Sequence, residues 1–204
     1  MKWLSLFILC LWSLCSYAQG KWDYQWILGH DTSAIDPGGD AVLINFNHDP
    51  PIITGLKTVN GFSMEGSNAS FSTNDGILKL YSNGCYIVNP THMIMENGDS
   101  INPGIVEDFF CPSGGSPISQ SAIALPFPSR DDLAYVFNLD LGLPYFQIDS
   151  FTGVAPQKLF YHLIDLEANS GNGRVIEKMW WQYKILLRGV HYKQFVIETP
   201  EIGG

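Results

Sequence analysis

Residues 75–89, DGILKLYSNGCYIVN, decide the fold. They read as a β-hairpin, with two strand-favouring runs on either side of Asn83-Gly84. Asn-Gly is the usual pair for a two-residue type I′ turn, in which both residues take positive φ. That turn sets Ser82 opposite Cys85, Tyr81 opposite Tyr86 and Leu80 opposite Ile87. One face then carries Leu78, Leu80, Cys85 and Ile87; the other carries Ile77, Tyr81, Tyr86 and Val88. Neither face suits water, so the hairpin is expected inside a stack of sheets, covered above and below.

A lone hairpin is marginal in water, so the cover must come from the rest of the chain. At 204 residues the chain is long enough for one domain with a real core. Aromatic residues make up 13% and charged residues only 15%, with 20 Gly and 12 Pro, which suits an all-β protein with many turns. The net charge of −9 disfavours nucleic acid, which needs a basic face, and no basic cluster suits an anionic membrane.

Working outward, 22–28 alternates Trp22, Tyr24, Trp26 and Leu28 with polar residues, the period of an edge or outer strand. Residues 29–40 form a turn-rich loop whose aspartates lack calcium-loop spacing. Further strands are expected at 41–47, 68–72, 121–125, 133–139, 158–166 and 174–178. The run 133–139, LAYVFNL, is apolar and suits a buried strand. Polar loops fill 89–104 and 111–120, and no segment carries a sustained helical stripe. Short strands with turn chemistry between them imply a sandwich, barrel or propeller.

Residues 1–18 read as a secretory signal peptide: Lys2, an uncharged apolar run, then Ser16-Tyr17-Ala18 before the cut at Ala18–Gln19. The alternative is a membrane anchor, but the run falls short of the ~20 residues that span a bilayer. No membrane association is expected after the cut. Removing Cys10 and Cys15 with the leader leaves Cys85 and Cys111. An even count in an exported chain favours one Cys85–Cys111 disulfide over two buried thiols.

Ordered motifs between residues 65 and 178 resemble a known family. They are Glu65-Gly66, Asp75-Gly76, Asn83-Gly84, His92 with Asn97-Gly98, the ALPFP segment at 124–128, Tyr135 and Phe137, and Tyr161 to Lys178. The series is similar to the N-terminal region of secreted Bacteroidota proteins that end in a type IX secretion sorting or gliding-motility-type domain. The resemblance implies an incomplete, WD40-like β-propeller of about three blades over 19–178. It also implies a secreted or cell-surface location, or a periplasmic one where no sorting domain is present. The tail 179–204 departs from the family pattern and reads as strands or a frameshifted end, so the chain resembles a truncated member.

No catalytic set emerges from the residues. His30, His48, His92, His162 and His191 share no metal-ligand spacing, and no nucleophile elbow or phosphate loop is present. Arg130, Arg174 and Arg188 are too few for a sialidase-type cluster. Glu107-Asp108 and Asp131-Asp132 could serve a glycosidase but sit in turn-like context. Asp99-Ser100-Ile101 is similar to a short Bacteroidota O-glycosylation acceptor.

The sequence therefore reads as a non-enzymatic binding module without cofactor. Its expected partner is a protein or glycan at the cell surface, and self-association is expected of an open propeller arc. The alternative is a carbohydrate-active enzyme or its remnant, suggested by the Trp22, Tyr24, Trp26 stripe and the loop carboxylates. N-terminal sequencing of exported protein should begin at Gln19; retention of Met1 would contradict the signal-peptide reading.

Overall fold

The computed structural model describes residues 20–29, 41–56, 64, 66–141, 146–148, 151–153, 158–183 and 195–196. The leader, its Ala18–Gln19 cut, the loop at 30–40 and most of the tail beyond residue 183 lie outside the described residues. Among the described residues, three antiparallel sheets of three or more strands and one two-stranded ribbon make up the fold. Sheet 1 holds β1 (Gln25–Gly29), β2 (Ala41–Asn45) and β3 (Ile52–Leu56) in chain order. Sheet 2 holds β4 (Ala69–Ser72), β5 (Leu78–Ser82) and β6 (Ile87–Val88).

Sheet 3 begins with β7 (Ala122–Phe127) and β8 (Arg130–Leu139). A small ribbon of β9 (Phe146–Ile148) and β10 (Phe151–Gly153) follows. Sheet 3 then resumes with β11 (Lys158–Asp165), β12 (Arg174–Tyr183) and β13 (Phe195–Val196), in the order β7-β8-β11-β12-β13. The all-β class follows directly.

Sheet 2 lies between the other two. On one side Phe71, Leu80 and Ile87 pack with Ala134, Val136, Ile164 and Val175 of sheet 3. On the other, Leu78, Tyr81 and Val88 pack with Ile27 and Ala41 of sheet 1. Leu80 and Ile87 are 0% exposed and Tyr81 1%, so the central hairpin has no solvent face. Each such side chain contributes roughly 1.5–3 kcal/mol of burial, so neither cover is dispensable. The sheets approach most closely along their first strands, β1 beside β4 and β4 beside β7. The Ile27 N–H donates to Ser70 Oγ at 3.0 Å, and the Ala122 N–H donates to Ser67 Oγ at 3.0 Å.

The hairpin's turn differs from the sequence expectation. Tyr81 pairs with Val88 and Ser82 with Ile87, so Asn83, Gly84, Cys85 and Tyr86 form a four-residue loop. Gly84 takes φ +79°, but Asn83 is not left-handed. Its Oδ1 instead accepts the N–H groups of Cys85 (3.0 Å) and Tyr86 (3.1 Å), an Asx turn that competes with the type I′ geometry. Because the register moves by two residues, strand faces keep their parity. A bulge at Lys79, opposite the step from Phe71 to Ser72, moves Leu78 to the side of Tyr81 rather than Leu80, and Ile77, expected on the Tyr81 face, precedes the strand and is exposed.

Other differences have similarly local causes. β3 starts directly after Pro51, where a missing N–H costs nothing, and the sequence reading did not identify it. Short helical turns at Val106–Phe110 and Cys111–Ser113 are too brief to leave a periodic stripe. The polar loop at 89–104 supplies Met95 and Ile101 to the main core. β12 passes through residue 178 without a break, pairing Met179 with Tyr161 and Trp180 with Phe160. From Ala134 onward β8 alternates: Ala134, Val136 and Asn138 are buried, while Tyr135 and Phe137 are half-buried on the other side.

Candidate functional site

The most constrained region is the tip of the central hairpin. Ser82, Asn83 and Cys85 are buried there, so every polar group needs a partner. Cys85 is bonded to Cys111 with Cα atoms 5.5 Å apart, and Val106 packs beside them. The Ser116 N–H donates to the Asn83 carbonyl (3.0 Å), and Asn83 Nδ2 donates to the Gly114 carbonyl (3.2 Å). The loop at 111–120 is thereby fastened over the tip. The segment closed by the disulfide is not merely polar, because it contains Met95, Ile101 and Val106.

A buried polar chain continues from the tip into sheet 3. Asn102 Nδ2 donates to the carbonyls of Gly84 (3.1 Å) and Leu139 (3.0 Å). Asn138 Nδ2 donates to the Ile101 carbonyl at 3.2 Å, which leaves its Oδ1 to accept. His162 Nε2 lies 2.7 Å from that Oδ1, so Nε2 is the ring nitrogen that donates. Burial, and then the Lys178 ammonium, push the His162 pKa down to about 3, against a weaker opposing pull from the Ile101 carbonyl.

The remaining candidates are dispersed. His48 is exposed, and His92 Nδ1 lies 3.0 Å from the Tyr81 hydroxyl, whose pKa burial raises. His30, His191 and Arg188 lie outside the described residues. Arg130 is paired with Asp132, and Arg174 Nε lies 2.8 Å from Glu96. Asn169 and Arg174 hold Glu96 below the usual carboxylate range. Glu107 accepts from Ser100 Oγ at 2.5 Å on the helical turn, and Asp131 stands at the start of β8. Among the described residues no three His, Cys, Asp or Glu side chains gather as a metal set. Nor is any described helix long and apolar enough to cross a membrane.

The aromatic stripe near the N-terminal end divides. Trp22 packs against the main core, Tyr24 lies under Lys21, and Trp26 is exposed against Phe46 with ring centres 5.3 Å apart. A larger aromatic surface lies on the outer face of sheet 3, where Tyr135 contacts Phe127 (5.1 Å), Phe137 (5.7 Å) and Tyr161 (6.0 Å). The sequence reading missed it, because LAYVFNL is as apolar on its outer positions as on its inner ones.

No protein-family model, curated protein or solved structure matches the chain.

Two outcomes follow from this geometry. Replacing both Cys85 and Cys111 by Ala should lower urea-unfolding stability by roughly 3 kcal/mol, the loop-entropy value for a bridge of this span. Unchanged stability, or both native thiols alkylating without reductant, would contradict it. For His162, the folded pKa lies below the unfolded value near 6.5, so the unfolded chain binds the extra proton and stability falls as pH drops below about 6.5. Between pH 6.5 and 5 the loss should be on the order of 1–2 kcal/mol, as the slope grows from half of its full value at pH 6.5 towards roughly 1.4 kcal/mol per unit at pH 5. The His162→Gln variant should flatten that part of the profile.

Proposed function

We propose that this chain is a secreted β-propeller-type interaction module that works by presenting surfaces rather than by catalysis. One observation carries the reading. Three up-and-down antiparallel sheets are stacked face to face with their first strands adjacent, as blades are arranged around a propeller axis. Sheet 3 gives the fullest blade, a meander of β7, β8, β11 and β12 interrupted only by the β9–β10 ribbon. The ordered family motifs over 65–178 support the same reading and favour a cell-surface protein or glycan as partner.

The polar side chains support binding over turnover. The buried asparagines and His162 bond to backbone and to one another, which gives them a structural task. Glu107 is engaged by the Ser100 hydroxyl on the helical turn, and Asp131 stands on a different element, β8.

The test is a glycan and protein array probed with purified chain, run beside a reducing-sugar assay on the same polysaccharides. Retention on the array without release of reducing ends is the expected outcome. Sugar release that disappears in Glu107→Gln or Asp131→Asn would overturn the reading in favour of a carbohydrate-active enzyme.

A further inference from the structure

The stack of three sheets ends in two apolar surfaces. The outer face of sheet 1 exposes Trp26 (46%), Leu28 (38%) and Ile53 (69%), with Phe46 against Trp26. The outer face of sheet 3 exposes Ile123 (52%) and Leu125 (41%) beside the ring cluster around Tyr135. Contiguous apolar surfaces of this kind mark association sites.

We propose that these two faces are the halves of one interface, and that the outer face of sheet 3 in one copy receives the outer face of sheet 1 in a second copy. Two chains then close a ring of six sheets. The inference rests on the propeller-type reading above and names its partner. The chain's own packing provides the argument. Sheet 1 presents Ile27 and Ala41 to Leu78, Tyr81 and Val88 of sheet 2. Sheet 2 presents its opposite face to Ala134 and Val136 of sheet 3. Each sheet thus has one surface that meets the sheet before it and one that meets the sheet after it. On sheet 3 the surface left over is the one that meets a following sheet. On sheet 1 it is the one that meets a preceding sheet. The two surfaces that no described sheet covers correspond in the same sense as the two that are covered, and one molecule carries both.

Curvature and symmetry agree with closure. The sheets draw together along β1, β4 and β7, so stacking turns about an axis near those strands. Six sheets fall within the four to eight blades that such rings use. A pair of chains joined this way has two identical heterologous contacts related by a two-fold axis, a closed arrangement. A face-to-face dimer through sheet 3 alone would instead leave Trp26 and Ile53 bare on both copies.

The test is size-exclusion chromatography with light scattering on the disulfide-bonded chain, which should run at twice the chain mass. Ile53→Lys and Ile123→Lys alter exposed positions, and each variant alone should run as a folded monomer, with folding checked by circular dichroism. Mixed in equal amounts, they should recover the doubled mass, because each supplies the face that the other lacks. Persistence of the dimer in Ile53→Lys, failure of the mixture to pair, or an open series of larger species from the wild-type chain would overturn the ring. A sharp wild-type monomer would also overturn it, and hydrogen exchange then separates the two readings. Slow exchange in β4 and β5 would leave the three-sheet arc standing, whereas fast exchange there would remove the arc as well.

Discussion

The fold depends on burying a strand pair from both sides. Leu80 and Tyr81 are neighbours in β5, so their side chains leave the sheet in opposite directions. Each ends in a different core, and each is almost wholly removed from water. Sheet 2 contributes only two residues to β6, too little pairing to stand alone. Its stability comes from its neighbours, and theirs from it. This mutual cover explains why three small sheets behave as a stack and not as separate ribbons.

Such a stack could slide if its interfaces were only apolar. Polar groups inside it fix the alignment. Asn102 ties the hairpin tip to the end of β8, and Asn138 ties β8 to the loop at 101–102 and to His162 on β11. A displacement of one sheet would strand several buried donors and acceptors, at about 1–3 kcal/mol for each unsatisfied group. The disulfide fastens the same tip covalently, so the strongest constraints converge where the central hairpin turns.

Much of this was legible in the sequence. The hairpin and the burial of its strands on both faces followed from residue types and the two-residue period, and the Cys85–Cys111 bond from the even cysteine count left beyond the leader. The turn did not, because Asn83 has two ways to satisfy its backbone and the buried setting favours the side-chain route. The polar chain left a signal that alternation alone could have revealed. Asn138 falls in phase with Ala134 and Val136, and His162 in phase with Phe160 and Ile164, which places polar groups at core positions. The exposed face of sheet 3 left none, since Tyr135 and Phe137 differ little in hydrophobicity from buried residues. Whether a strand's second face is covered is decided by a distant segment, and no local pattern records it.

The up-and-down topology also has a kinetic consequence. Nearly every ladder joins strands adjacent in the chain, so each hairpin can close by a short, local search, on the order of microseconds. None of these closures is rewarded until faces from different sheets meet, because the apolar surface lies between sheets and not within them. Pairing is then fast and reversible, while docking across the stack sets the rate at which the chain commits to its native state. Tyr81, Leu80 and Ile87 sit at those docking surfaces, so the residues that hold the finished fold together also govern how quickly it is reached.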